Sequence, residues 1–285
     1  MSTLRIKYPQ WQGFANPDYV LGCDIIECTA PRSCAETVSI NVEMDFEAKH
    51  KIVNGVMDGD ILLRQMNDLR NVLKEKNPDK LIVFGGDCSV SQVPMDYLHG
   101  KYGNKLGLIW LDAHPDISDF TESNHLNEMV AGNLLGRSMD NEITRVENPF
   151  AKEHIIYAGL IYEALRDMDK AVKTMEVKYV SPEILMETTE PLLRWIDDNQ
   201  FKYVAIHWDV DSMSPYAYRS TYPAEPFHVI ENFDCAFGRM KFDGIMRMMK
   251  EIQEKVEIVG INITENMPFD AINMRKAMSE IKIFN

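Results

Sequence analysis

The stretch "KLIVFGGDCS", Lys80–Ser89, decides the fold. Leu81, Ile82, Val83 and Phe84 form an unbroken apolar run closed by Gly85 and Gly86. A run without polar alternation belongs to a strand covered on both faces, as in a parallel sheet with helices above and below. Asp87 and Cys88 follow side by side, and the chain then reads as a loop opening into a helix. Four readings of Cys88 stand at this point: a small buried hydrophobe, a thiol nucleophile, a metal ligand, or a place where a ligand once stood.

The same pattern recurs on either side. Further strand candidates are "TVSINVEM", "LGLIWLDAH", "HIIYAGL", "YVAIHWDVD" and "VEIVGINITE". Between and after them lie segments with helical periodicity, among them "GDILLRQMNDLRNVLKEK", "EPLLRWIDDNQ", "GIMRMMKEIQEKV" and "AINMRKAMSEI". Strand–helix alternation predicts an α/β fold, a mainly parallel sheet with helices on both faces. No repeat, low-complexity tract or Pro/Gly/Ser linker divides the chain, so one domain over residues 1–285 is expected. The methionines of "GIMRMMKEI" read as the packed face of a helix.

Bulk composition narrows the function. Thirty Lys and Arg against 44 Asp and Glu give a net charge of −14 in 285 residues. That balance repels polyanions and argues against nucleic-acid and anionic membrane partners. Five cysteines in a chain this long do not describe a disulfide scaffold. Cys23, Cys28 and Cys34 lack Cys-x-x-Cys spacing and a histidine partner, so no zinc site is expected there. The opening "MSTLRIKYPQWQGF" has no basic region followed by an apolar run, and no stretch has the length to cross a bilayer. A reduced, cytoplasmic protein is expected.

In an open parallel sheet, sites form at the carboxyl ends of the strands. There this sequence concentrates ligand-type side chains: Cys88 after "KLIVFGGD", Asp112, His114 and Asp116 in "DAHPD", Asp209 and Asp211 in "DVD", and Glu265 in "TENMP". Residues at i, i+2 and i+4 of an extended segment share one face. So much negative charge in one place repels itself unless cations or protons neutralise it. Carboxylates with a histidine suit hard or borderline divalent ions such as Mn²⁺, and there are donors for two.

Together "GGDCS", "DAHPD", "DVDSMSP" and "TENMP" resemble the four signature blocks of the ureohydrolases, the family of arginase, agmatinase and formimidoylglutamase. The resemblance spans nearly the whole chain. It implies a three-layer α/β/α sandwich around an eight-stranded sheet, assembly as homotrimers or hexamers, two Mn²⁺ ions, and attack of a metal-bridging hydroxide on a guanidinium or formimino carbon. By motif position it implies that Asp112 and Asp209 bridge the ions, that His114 and Asp211 complete one shell, and that Asp116 binds the other ion and takes part in catalysis. Glu265 would orient a guanidinium-like substrate, which a carboxylate can meet in a bidentate way. Ser118 is a further substrate-binding candidate.

The departures are specific. The family's Gly-Gly-Asp-His-Ser has Cys88 at its histidine, a metal ligand; a thiolate there favours Zn²⁺ or Fe²⁺ over Mn²⁺. A histidine expected within "GNLLG" is Leu135, and the last aspartate of the third block is Ser214. His125 is a candidate catalytic substitute for the missing imidazole, although a solvated loop histidine is the plainer reading. Arg219, in "YAYRSTYPAEPFH", is a candidate for a substrate carboxylate, although an ordinary surface or subunit-interface arginine is the plainer reading. His207 reads as a hydrogen-bonded core histidine. The expected function is a hydrolase cleaving a C–N bond of a guanidino, formimino or amidine-like small molecule. The alternative is a catalytically degenerate family member acting as a structural, ligand-binding or regulatory subunit. A thiol nucleophile at Cys88 ranks below both, since no base for it is legible.

Overall fold

In the computed structural model, residues 1–230 and 235–284 are described. The strands are β1 (Thr3–Tyr8), β2 (Glu36–Ser39), β3 (Ile52–Val53), β4 (Val56–Met57), β5 (Lys80–Gly85), β6 (Leu106–Leu111), β7 (Ile155–Ala158), β8 (Lys178–Val180), β9 (Tyr203–Asp209) and β10 (Glu257–Thr264). The helices are α1 (Asp18–Thr29), α2 (Gly59–Lys76), α3 (Gln92–Tyr102), α4 (Val130–Leu134), α5 (Ala171–Met175), α6 (Pro182–Glu187), α7 (Glu190–Asp198), α8 (Phe242–Lys255) and α9 (Phe269–Ser279).

Eight strands form one parallel sheet in the order β2-β1-β5-β10-β9-β6-β7-β8, while β3 and β4 make a separate antiparallel pair. The central strands explain the apolar runs. Every residue of β6 is buried, and β9 buries Val204, Ala205, Ile206 and His207. Helices supply the two covering layers. Leu62, Gln65, Met66, Leu69 and Leu73 make one buried face of α2, which ends at Asn77 in the left-handed conformation (φ 43°) with its N–H on the Leu73 carbonyl. On the other side, α8 buries Ile245, Met248, Met249 and Ile252, so two of its methionines pack while Met246 is exposed. One apolar core lies with α2 and α3 and a second with α7 and α8.

Two strands of the main sheet escaped the sequence reading. β1 buries Leu4, Ile6 and Tyr8 between the partly polar Arg5 and Lys7, a period-two signal hidden by its place at the start of the chain. β8 is three residues long, too short for periodicity to register. Of the run "TVSINVEM", only Thr37–Ser39 pair in a strand, against β1, because β2 is a mostly exposed edge.

Gly86 fixes how the β5 turn meets the chain beside it. A Cβ there would stand 1.9 Å from the Gln10 carbonyl oxygen, which accepts the Asp87 N–H at 2.9 Å. Backbone, not a yielding side chain, would have to move. Gly86→Ala is expected to cost about 1–3 kcal/mol and to lower Tm by roughly 2–10 °C in a thermal melt; an unchanged Tm would refute this close approach.

Candidate metal centre

The four motif-bearing strands β5, β10, β9 and β6 are neighbours at the centre of the sheet, so their carboxyl ends open on one edge. After β5, Asp87 caps the tight turn Cys88–Ser91: its carboxylate accepts from Ser89 N–H at 2.9 Å, from the Ser89 hydroxyl, and from Phe14 N–H at 3.2 Å. Burial outweighs these donors and pushes Asp87 up to about 6. The turn points Cys88 inward. The Cys88 Sγ lies 3.0 Å from Asp209 Oδ2 and 3.5 Å from both His207 Nε2 and Thr264 Oγ1.

Asp112, at the end of β6, is fully buried and faces two ways. Its Oδ2 accepts from Trp110 Nε1–H at 3.1 Å and stands 3.7 Å from His207 Nε2. Its Oδ1 accepts the His114 N–H at 2.7 Å and lies 3.6 Å from His114 Nδ1, which reaches Asp211 Oδ2 at 3.1 Å. Asp209 Oδ1 accepts the Asp211 N–H at 2.6 Å, which fixes the turn after β9. Two donor groups result: Cys88, Asp112, His207 and Asp209, and Asp112, His114 and Asp211, with the donor atoms of each within 4.8 Å of one another. Asp112 is common to both.

Asp116 belongs to neither group. It is held at φ 44°, and its Oδ2 is buried without a hydrogen-bond partner among the described residues, as are Asp211 Oδ1 and His114 Nε2. Burial, with Asp209 and other carboxylates next, pushes the Cys88 thiol well up; burial with Asp112 does the same to Asp116, and burial with Asp211 to Asp209. Burial opposes the His114 imidazolium, but Asp211 and Asp112 together outweigh it and raise it. Orphaned acceptors and self-repelling carboxylates around shared donors fit divalent cations, which relieve both problems. A low-pKa reactive thiol is the opposite of this environment.

One prediction follows from the raised groups. They hold protons above their ordinary range and must surrender them to a metal, so affinity falls as pH falls, by roughly tenfold per unit for each proton released. Calorimetric titration with Zn²⁺ in buffers of different ionisation heat is expected to show net proton release; buffer-independent heats would contradict it.

A cavity of about 130 Å³ opens over the cluster. Cys88, His114, Asp116, Asp209, Asp211 and Glu265 line it, with Phe14, Tyr19, Asn127, Glu128, Arg166 and Tyr222 among its walls. Glu265 sits at φ 64°; its N–H donates to the Gly86 carbonyl at 2.7 Å, and its Oε1 accepts the Cys88 N–H at 3.0 Å. Burial, then Asp87, raises its carboxyl, while a hydrogen bond with Tyr19 works against that rise.

Besides Asp112, three sequence candidates lie off the cavity lining. His125 packs its ring on Phe14, 5.9 Å between centroids. Ser118 is fully buried and donates from Oγ to the Glu128 carbonyl at 2.6 Å. Arg219 is exposed beside Pro268 and Asp270 in a separate recess. Leu135 packs against the apolar core, and Ser214 donates its N–H to the Met240 carbonyl at 2.8 Å. The sequence reading missed Arg166, which reaches the cavity wall held by Glu128 at 2.7 Å and Asp169 at 2.9 Å. It lies past the end of β7, whose run "HIIYAGL" carries no acidic pair to draw notice. Tyr19, brought in by α1, had no motif to mark it.

A parallel sheet with covering helices and a carboxylate-rich donor cluster at its carboxyl edge defines an α/β/α protein with a candidate metal site. The Arginase family model matches residues 30–283, and the chain belongs to the arginase family. Arginase 1, mitochondrial, of Arabidopsis thaliana is 24% identical over 285 residues, covering 98% of this chain and 72% of that protein. The match to Arginase 2, chloroplastic/mitochondrial, of the same plant is 22% identical and covers 74% of this chain but only 54% of that relative's length. Among solved structures, Entamoeba histolytica arginase in complex with L-ornithine has a TM-score of 0.74 at 14% identity, over 94% of this chain and 92% of its own. Formimidoylglutamase from Bacillus subtilis has a TM-score of 0.61 at 16% identity, over 94% and 79%. These structural likenesses establish the fold. Among the described residues, no helix is long and apolar enough to cross a membrane.

Proposed function

We propose that this chain is a ureohydrolase-type metallohydrolase that cleaves a C–N bond of a guanidino, formimino or amidine-like substrate. The observation that carries this reading is the pair of donor groups sharing Asp112 beneath a cavity that Glu265 also lines. By motif position Cys88, Asp112, Asp116 and Asp209 would hold one ion, with Asp116 outside the donor group of Cys88, Asp112, His207 and Asp209, and Asp112, His114 and Asp211 would hold the other. When bound, such ions lower the pKa of water and supply a nucleophile at neutral pH.

The protein's own groups do the rest. Glu265 accepts N–H donors of a planar cation at the cavity floor, with the Cys88 N–H and Tyr19 holding its carboxylate in place. Phe14, Tyr19 and Tyr222 exclude water from the substrate's flank. The acidic lining favours a cationic substrate, with Arg166 already paired to Glu128 and Asp169. A cavity this small accepts the reacting group and leaves a longer substrate projecting outward. Mn²⁺ at the position of Asp112, His114 and Asp211, with Zn²⁺ or Fe²⁺ at the position that Cys88 would fill, a cytoplasmic location, a single domain and a homotrimer or homohexamer complete the proposal on family likeness alone.

One observation favours the degenerate-subunit alternative: among the described residues, His114 is the sole histidine lining the cavity, so no imidazole is free there for proton transfer. A urea- and ammonia-release screen over guanidino, formimino and amidine compounds, run on protein reconstituted with Mn²⁺, Zn²⁺ or Fe²⁺, separates the two. Release from one of these classes supports the enzyme. Metal uptake with no release from any class supports the subunit.

A further inference from the structure

We infer that His207 supplies the imidazole that position 88 lacks, so that Cys88 and His207 act together as ligands in a relocated donor set of one sulfur, one nitrogen and the carboxylates of Asp112 and Asp209. This rests on the proposed metallohydrolase reading and deepens it, since it assigns a ligand from mid-strand and with it a class of metal.

The four donor atoms lie within 4.8 Å of one another, close enough to converge on one ion. Tetrahedral coordination at about 2.0–2.3 Å places neighbouring ligand atoms about 3.3–3.8 Å apart. His207 Nε2 stands 3.5 Å from Cys88 Sγ and 3.7 Å from Asp112 Oδ2, and Cys88 Sγ stands 3.0 Å from Asp209 Oδ2. At 3.7 Å the His207–Asp112 pair is too long for a hydrogen bond, so Nε2 lacks a well-made partner of that kind on the Asp112 side. Side chains at i and i+2 of a strand share a face, which puts His207 directly behind Asp209 on β9.

The other ring nitrogen is held in the manner of a metal-binding histidine. Nδ1 lies 2.8 Å from Ser91 Oγ, and Ser91 Oγ accepts from Asn262 Nδ2 at 3.1 Å. Ligation through Nε2 requires Nδ1 to donate to Ser91 Oγ, which then accepts from both Nδ1 and Asn262 Nδ2. Trp110 stacks on the ring at 3.7 Å and 15°, and its Nε1–H holds Asp112. The ring is fully buried and its orientation is fixed from both sides. The unpartnered Asp116 Oδ2 is a further buried acceptor that this first site leaves available. One thiolate and one imidazole with two carboxylates select Zn²⁺ or Fe²⁺ over Mn²⁺.

The test uses Co²⁺ as the probe in the full chain, which reports thiolate ligation by a sulfur-to-cobalt charge-transfer band in the near ultraviolet. The wild-type protein is expected to take two Co²⁺ per chain and show this band. Cys88→Ser should remove the band and leave the second equivalent, held by Asp112, His114 and Asp211. His207→Asn should weaken the first equivalent by at least about 100-fold and change its visible spectrum. Ser91→Ala, which frees Nδ1 without emptying the core, should weaken it by roughly 10–100-fold; it keeps the test decisive if His207→Asn does not fold. Two equivalents and unchanged spectra in both His207→Asn and Ser91→Ala would overturn the assignment of His207 while leaving the metallohydrolase reading intact. No uptake of Co²⁺ by the wild-type chain would overturn both.

Discussion

Asp112→Asn is expected to empty both metal positions at once. Its two oxygens face different groups: Oδ2 toward His207 and Oδ1 toward His114. Substitution removes the charge common to both and leaves an amide that donates where a cation must sit. Affinity at each position is expected to fall by at least about 100-fold, beyond what losing an outer-shell partner costs, and hydrolysis with it. Stability offers a second readout. An ion that binds only the folded chain adds about 2.7 kcal/mol at a hundred times its Kd. The wild-type Tm should therefore rise on adding Zn²⁺, and that of Asp112→Asn should not. Retention of two ions by the variant would refute the shared-ligand geometry.

Glu265→Gln is the second large effect, and it falls on substrate rather than metal. The substituted side chain would keep an amide oxygen for the Cys88 N–H, so the turn after β5 should stay in place. What it loses is one acceptor oxygen and a negative charge, replaced by an N–H₂ that opposes the N–H donors of a guanidinium-like group. Metal content is expected to be unchanged, while kcat/KM falls by roughly 10²–10³, the scale of losing one electrostatic partner of the transition state. Equal kcat/KM in variant and wild type would remove Glu265 from substrate recognition.

How much of this was legible beforehand varied with the physics. Buried parallel strands announce themselves because both faces must be apolar, and the helical α2 and α8 announce themselves by spacing. Those signals mark six strands of the parallel sheet, while its eight-strand count and the arginase family come from the resemblance carried by four short blocks. β1 and β8 were hidden because one alternates at the start of the chain and the other is three residues long. At the site, the blocks named side chains that converge on one edge, because strand ends in a parallel sheet must share an edge. Arg166 and Tyr19 were not legible, since Arg166 stands in the charged loop "YEALRDMDK" after β7, outside the four blocks, and Tyr19 in α1, which carries no ligand-type motif. His207 was read as a core histidine, and it is fully buried. Missing was the direction of Nε2, which depends on the register of β9 against β6, where His207 pairs with Trp110. Arg219, a candidate near a motif for which an ordinary surface arginine was the plainer reading, lies exposed in a separate recess.

The most direct measurement is elemental analysis of the full chain, purified without a chelating tag and incubated in turn with Mn²⁺, Zn²⁺ and Fe²⁺. Two ions per chain, at least one of them Zn²⁺ or Fe²⁺ in preference to Mn²⁺, is the expected result. No bound metal under any of these conditions would contradict the site and the function proposed for it.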